Sequence, residues 1–154
     1  MIWKQTIGAA SAGAMVASGI MAGAMVLTVA TASAAPPIRF GVQAPITGPY
    51  ADEGQGIEKA VRLLVEQQNA KGGLLGRQIE VTVCDDEGKP SQAAICARQL
   101  VNAKVVAVIG SYTSGAALAA EPIYAAANVL QTSDGTSNKL SEQGFKTWFG
   151  NAAP

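Results

Sequence analysis

From Ile7 to Ala30 the chain is almost wholly Ala, Gly, Val, Met, Ile and Leu, and between Met1 and Ala35 its only charged side chain is Lys4. Downstream, short apolar runs alternate with polar, glycine-containing loops. Ile38 to Gln43 predicts a strand. After a polar loop from Ala44 to Gly56, apolar positions recur at Ile57, Ala60, Val61, Leu64 and Val65, the spacing of one helix face. The glycines around Gly72 and Gly73 stop that helix, because glycine readily adopts the left-handed conformation that a helix end requires. Arg77 to Cys84 alternates with Ile79, Val81 and Val83 on one side and reads as a second strand. Pro90 suits the first turn of a second helix, where its missing N–H costs nothing, and that helix runs to about Asn102. Val105 to Ile109 is the continuous apolar run of a strand buried on both faces. A third helix from about Ser114 to Ala126 and a fourth strand from Val129 to Thr132 follow.

Strands alternating with helices make βαβ units, so the fold class is α/β with a doubly wound parallel sheet. Ligands in such sheets bind beyond the carboxyl ends of the strands, where the strand order reverses. This rule selects three loops: Ala44 to Gly56, Gly110 to Gly115, and Ser133 to Lys139.

Composition changes the picture at the N-terminus. The apolar segment accounts for much of the 49% hydrophobic content and the mean hydropathy of +0.22. Lys4, the apolar stretch and Ala32-Ser33-Ala34 are the three parts of a secretory signal, with cleavage expected after Ala34. Its length leaves an uncleaved anchor open, while the absence of a following cysteine argues against lipid attachment. Residues 35–154 carry ten Lys or Arg and eleven Asp or Glu, a near-neutral balance that implies neither a nucleic-acid partner nor an acidic membrane surface.

Candidate chemistry is sparse. The chain has no histidine, so neither a Ser-His-Asp nor a Cys-His site assembles from it, and zinc loses its commonest nitrogen ligand. No metal or cofactor is expected. Asp85-Asp86-Glu87 is the one acidic cluster, and a solvated turn after an edge strand is the favoured reading over a metal or acid/base site. Gly110 to Gly115 (GSYTSG) lacks the Lys-Ser of a phosphate loop. Thr113 and Ser114 instead sit where a strand ends and a helix begins. There, free N–H groups and the positive helix end suit a carboxylate, unless one of the two is simply an N-cap. Ser133, Asp134, Thr136 and Ser137 offer a polar clamp or an ordinary turn. Cys84 and Cys96, the only cysteines, lie at a strand end and on the next helix of an exported chain. They are expected to form a disulfide, with two buried thiols as the alternative.

At ITGPYA (46–51), NAKGGLLGRQIEV (69–81), CDDEGKPSQA (84–93), VIGSYTSGAALAAEPIY (108–124) and TSDGTSNKLSEQG (132–144) the chain resembles the leucine/isoleucine/valine-binding proteins that feed ABC transporters. The resemblance covers nearly all of 35–154 in the family's order. It implies a non-enzymatic, monomeric, two-lobed periplasmic protein of the type I architecture, with 35–154 as a truncated first lobe and the second lobe absent. Its partners would be a small amino acid or amide and a membrane permease. By the same resemblance Ser114 and Thr136 hold the amino acid's head group, helped by backbone groups of Thr113 and Asp134 and with Gly135 in the same turn, while Tyr50 to Gly56 covers the ligand side chain. Glu53 stands where members often place an aromatic, and the first loop is about a helical turn short, so a polar or cationic side chain is open. A segment supplying one wall is expected to hold ligand weakly and to expose apolar surface. A receptor domain of the same fold, or a secreted enzyme with catalytic residues beyond Pro154, are the competing functions.

Overall fold

A computed structural model describes residues 35–152; the expected signal segment lies outside them. Five parallel strands form one sheet in the order β2-β1-β3-β4-β5. In chain order the elements are β1 (Ile38–Ala44), α1 (Ala51–Ala70), β2 (Ile79–Asp85), α2 (Pro90–Asn102), β3 (Ala107–Ile109), α3 (Ser114–Ala126), β4 (Leu130–Ser133), α4 (Lys139–Glu142) and β5 (Trp148–Gly150). The order reverses after β2, so the switch point lies between β1 and β3, as the α/β reading requires. Pro90 is the first residue of α2, and α3 has the bounds expected from its sequence. The first helix begins at Ala51, earlier than its apolar stripe suggested, so Glu53 sits in a helical turn and not in a loop. The elements α4 and β5 were not foreseen.

Strand alternation divides the side chains between two unlike faces. On one face α2 and α3 pack against each other and the sheet, burying Ala93, Ala97, Leu100, Val108, Ala120 and Tyr124. The small residues of α3 let it approach α2 closely, which is why a helix with Pro122 inside it is still well buried. Gln143, just after α4, donates to the Glu121 carboxylate at 2.6 Å and so ties that turn to α3. Burial pushes the Glu121 pKa up, and the Gln143 bond pulls it part of the way back.

Among the described residues the opposite face carries only α1, which lies over β1 and β2 and has a single buried residue, Gly54. An apolar groove of about 350 Å³ runs between its stripe and the sheet, lined by Phe40, Val61, Leu64, Val65, Ile79 and Ile109. Leu64 is 64% exposed, and farther along the bare sheet Leu130 is 47% and Phe149 53% exposed. Parallel sheets are ordinarily covered on both faces, and among the described residues this side is left largely open.

The Cys84–Cys96 disulfide is present, with Cα atoms 5.6 Å apart, and it fastens the edge strand β2 to α2. A loop with this sequence separation of 12 confers about 3 kcal/mol on the chain-entropy estimate. Replacing both cysteines by serine is expected to lower unfolding free energy by about that amount in urea titrations under oxidising conditions. No difference between the variant and the oxidised protein would contradict the assignment.

Candidate functional site

The carboxyl ends of β1, β2, β3 and β4 deliver four loops to one edge of the sheet, and their polar groups are stitched together there. Thr113 caps α3: its hydroxyl oxygen accepts from the Ala116 N–H at 3.4 Å and its O–H donates to the Gly88 carbonyl at 3.3 Å. The N-cap alternative therefore holds for Thr113. Ser114 does something else, because its Oγ accepts from the backbone N–H groups of Thr136, at 3.1 Å, and Ser137, at 3.2 Å. These two bonds draw the turn after β4 onto the start of α3. Ser114 keeps its own O–H to donate, and the N–H groups of Ser114 and Gly115 lead the helix with no intrahelical carbonyl to reach.

Gly135 makes that approach possible. A Cβ there would stand 2.7 Å from Leu140 Cδ1 and 3.1 Å from the Ser114 Cα, and its N–H donates to Ser133 Oγ at 3.0 Å. Asp134 is half-buried and Thr136 exposed. A polar hollow of about 250 Å³ opens beside them, bounded by Gly135, Thr136, Ser137 and Trp148. The structure thus brings Thr113, Ser114, Gly135 and Thr136 together. Glu53 is exposed in the first turn of α1 and makes no hydrogen bond or ion pair among the described residues. Tyr50, immediately before α1, packs on Tyr112 with ring centroids 5.7 Å apart and lies over Gly88, so two aromatic rings edge the crevice.

The acidic cluster is not the solvated turn expected of it. Asp85 accepts from the N–H groups of Ile46 (2.9 Å), Thr47 (3.3 Å) and Glu87 (2.9 Å) and from the Thr47 hydroxyl (2.6 Å), which fixes the loop after β1. Asp86 is fully buried and accepts from Gln43 Nε2 at 3.1 Å, from the Gly88 N–H at 2.9 Å and from the Ser111 hydroxyl. Like charges usually face water; here Asp86 has enough donors to leave it, while Asp85 stays partly exposed and bonded to the loops around it. Gln43, Asp86, Ser111 and Tyr124 were missed as a group, and the available signal was a glutamine set between Val42 and Ala44 at the end of β1. Among the described residues no three His, Cys, Asp or Glu could hold a metal, and no helix is long and apolar enough to cross a membrane.

Residues 37–152 match a family model described as periplasmic binding protein. Among curated proteins the chain is similar to Leu/Ile/Val-binding protein homolog 2 of Brucella abortus, at 40% identity over 66% of this chain and 27% of the relative. It is similar also to Leu/Ile/Val-binding protein BraC3 of Rhizobium johnstonii, at 33% identity over 70% of this chain and 30% of that one. Among solved structures it resembles the branched-chain amino acid transporter substrate binding protein LivJ from Streptococcus pneumoniae in complex with isoleucine. That match has a TM-score of 0.72 and 34% identity, over 76% of this chain and 34% of that one. The chain spans less than a third of the length of these two curated relatives.

Partial burial pushes the Asp85 carboxyl up, but the bonds from Thr47, Glu87 and Ile46 outweigh it and hold the pKa below its ordinary 3.8. A carboxylate with a depressed folded pKa contributes stability that is complete above the unfolded value and lost as pH falls through the folded one. The difference in thermal midpoint between wild type and Asp85→Asn should therefore hold from about pH 7 to pH 5 and shrink below about pH 4. A difference unchanged down to about pH 2 would show that these bonds do not depend on the charge.

Proposed function

Since the chain belongs to the periplasmic binding protein family, we propose that its protein is the extracytoplasmic substrate-binding component of an ABC importer, and that residues 35–154 form the first wall of an amino-acid site. The observation that carries this reading is the pair of hydrogen bonds that Ser114 Oγ accepts from the backbone N–H groups of Thr136 and Ser137. It sets the start of α3 and the turn after β4 side by side, so one zwitterion can reach both.

The ligand's carboxylate lies at the head of α3, where the Ser114 O–H, the leading N–H groups and the positive helix end all favour an anion. Its ammonium donates to the Thr136 hydroxyl and to carbonyls of the Asp134–Gly135 turn. The Leu/Ile/Val-binding relatives and the isoleucine in the LivJ crystal structure support an amino acid. The side chain would lie toward Tyr50 and Tyr112, and Glu53 in the same turn of α1 would favour a polar or cationic group there. A second lobe closes on the ligand by hinge motion, and the loaded protein docks on a membrane permease as a monomer.

Export comes first in this scheme. Intact-mass measurement of the periplasmic protein should show Ala35 at its N-terminus, and a retained Met1 would overturn cleavage after Ala34.

Binding is tested on the full-length protein by calorimetry with the twenty amino acids. Ser114→Ala and Thr136→Val should weaken every ligand by a similar factor, about ten- to a hundred-fold, because each removes a bond to a charged group. The order of preference should not change. Glu53→Gln should reorder it. Unchanged affinity in both hydroxyl variants, with the fold intact by circular dichroism, would remove the assigned site.

A further inference from the structure

We propose that Asp86 is a positioning residue of this site, its buried carboxylate fixing, through Ser111, the segment that carries Thr113 and Ser114 into the crevice. The inference rests on the reading of Ser114 given above.

Asp86 touches none of the candidate ligand-binding residues. Its partners come from three separate places: Gln43 at the end of β1, Gly88 in its own loop, and Ser111 in the loop after β3. A carboxylate only accepts, so all three donors must point at it, which sets the Gln43 amide with its NH2 toward Asp86. The amide oxygen is then left to face α3, where the Tyr124 hydroxyl donates to it at 2.5 Å. Burial first, and the Asp86 charge second, push the Tyr124 pKa far up, so it remains a donor. The third helix is thereby held through its body by Tyr124 and at its start by the Thr113 bond to Gly88, whose own N–H is on Asp86.

The loop has little room to move by another route. A Cβ on Gly110 would overlap the Gln43 carbonyl oxygen, and Gln131 Nε2 donates to the Gly110 carbonyl at 3.2 Å. Ser111, Gln43, Asp86 and Tyr124 are all fully buried, so water does not substitute for a missing partner. Two residues past Ser111 the chain reaches Thr113, and a small rotation at Ser111 displaces the N–H groups that lead α3.

A merely stabilising role would make the same contacts, so the test separates affinity from stability. In the full-length protein, dissociation constants are measured at 25 °C for isoleucine and for the tightest binder among the twenty amino acids, beside thermal midpoints. Asp86→Asn and Ser111→Ala should each weaken binding about tenfold, the lower end for a bond to a charged group. The double variant should be no weaker than Asp86→Asn, within about twofold, because both act through one contact. Val105→Ala truncates the same core at the far end of β3 and should lower the midpoint while leaving affinity within about twofold. Ser111→Ala decides the matter if Asp86→Asn does not fold. Unchanged affinity in the Asp86 and Ser111 variants, while Ser114→Ala still weakens binding, overturns the positioning role and leaves the site standing. Additive losses, or equal losses in Val105→Ala, overturn it as well. If Ser114→Ala and Thr136→Val are silent, or no amino acid binds wild type, the underlying site falls and this proposal with it.

Discussion

A parallel sheet sends the C-terminal end of every strand, and the start of every following helix, to a single edge. At that edge the backbone is least satisfied: strand carbonyls have run out of ladder and helix N–H groups have no carbonyl behind them. The polar groups of the edge loops follow from supplying partners there. Thr113 caps α3, Ser114 takes up the turn after β4, Asp85 takes up the loop after β1, and Asp86 gathers Gln43, Gly88 and Ser111 beneath them. Two adjacent carboxylates on an edge strand thus organise loops that belong to other strands. The disulfide from Cys84 to α2 anchors the base from which both reach out.

The order of strands and helices was legible because apolar periodicity is a local property, and Pro90 and the small-residue start of α3 marked their boundaries. The short elements were not: four residues in α4 and three in β5 are too few to show a period. Within the candidate site, the grouping of Ser114, Gly135 and Thr136 was legible through their place after a strand and the family resemblance. The division of labour between Thr113 and Ser114 was not, since either hydroxyl fits an N-cap. Asp86 was read with its neighbours as a solvated turn because the donors that make it burial-tolerant lie 43 and 25 residues away. No pattern within a helix or strand period reports a bond of that range. The α1 stripe was legible as a helix face, but its being left largely uncovered is a tertiary fact.

The two faces of the sheet do different work. The α2–α3 side is a closed core of alanines, valines and leucines with one aromatic, Tyr124, which carries its hydroxyl up to the polar layer. The α1 side keeps Leu64, Leu130 and Phe149 in the open. Apolar burial on the first side is enough to hold the edge loops in register, because the polar layer stands directly on it. What happens on the second side reaches the crevice only through α1, whose start adjoins Tyr50 and so the Tyr112 ring. The head of α3 and the Tyr50–Tyr112 edge of the crevice are therefore supported by different halves of the fold.

This division bears on how a binding wall can be both rigid and neutral. A lysine or arginine would attract a ligand carboxylate more strongly, but burying it beneath a second wall costs several kcal/mol of desolvation that the ligand must repay, on the order of what the contact yields. Hydroxyls and leading helix amides carry no net charge, so at the proposed head-group position closure would leave no unpaired ion when the site is empty. Ser114 Oγ holds the loop of Thr136 through its lone pairs, which leaves its O–H to donate to ligand in the proposed site. On that proposal a single atom would set the distance between the carboxylate and ammonium positions. The buried charge, Asp86, lies beneath these loops, where three donors satisfy its carboxylate. In the proposed site, separating that charge from the contacting dipoles would let the wall be preformed by strong interactions and yet bind ligand through weaker ones, as release of a ligand requires.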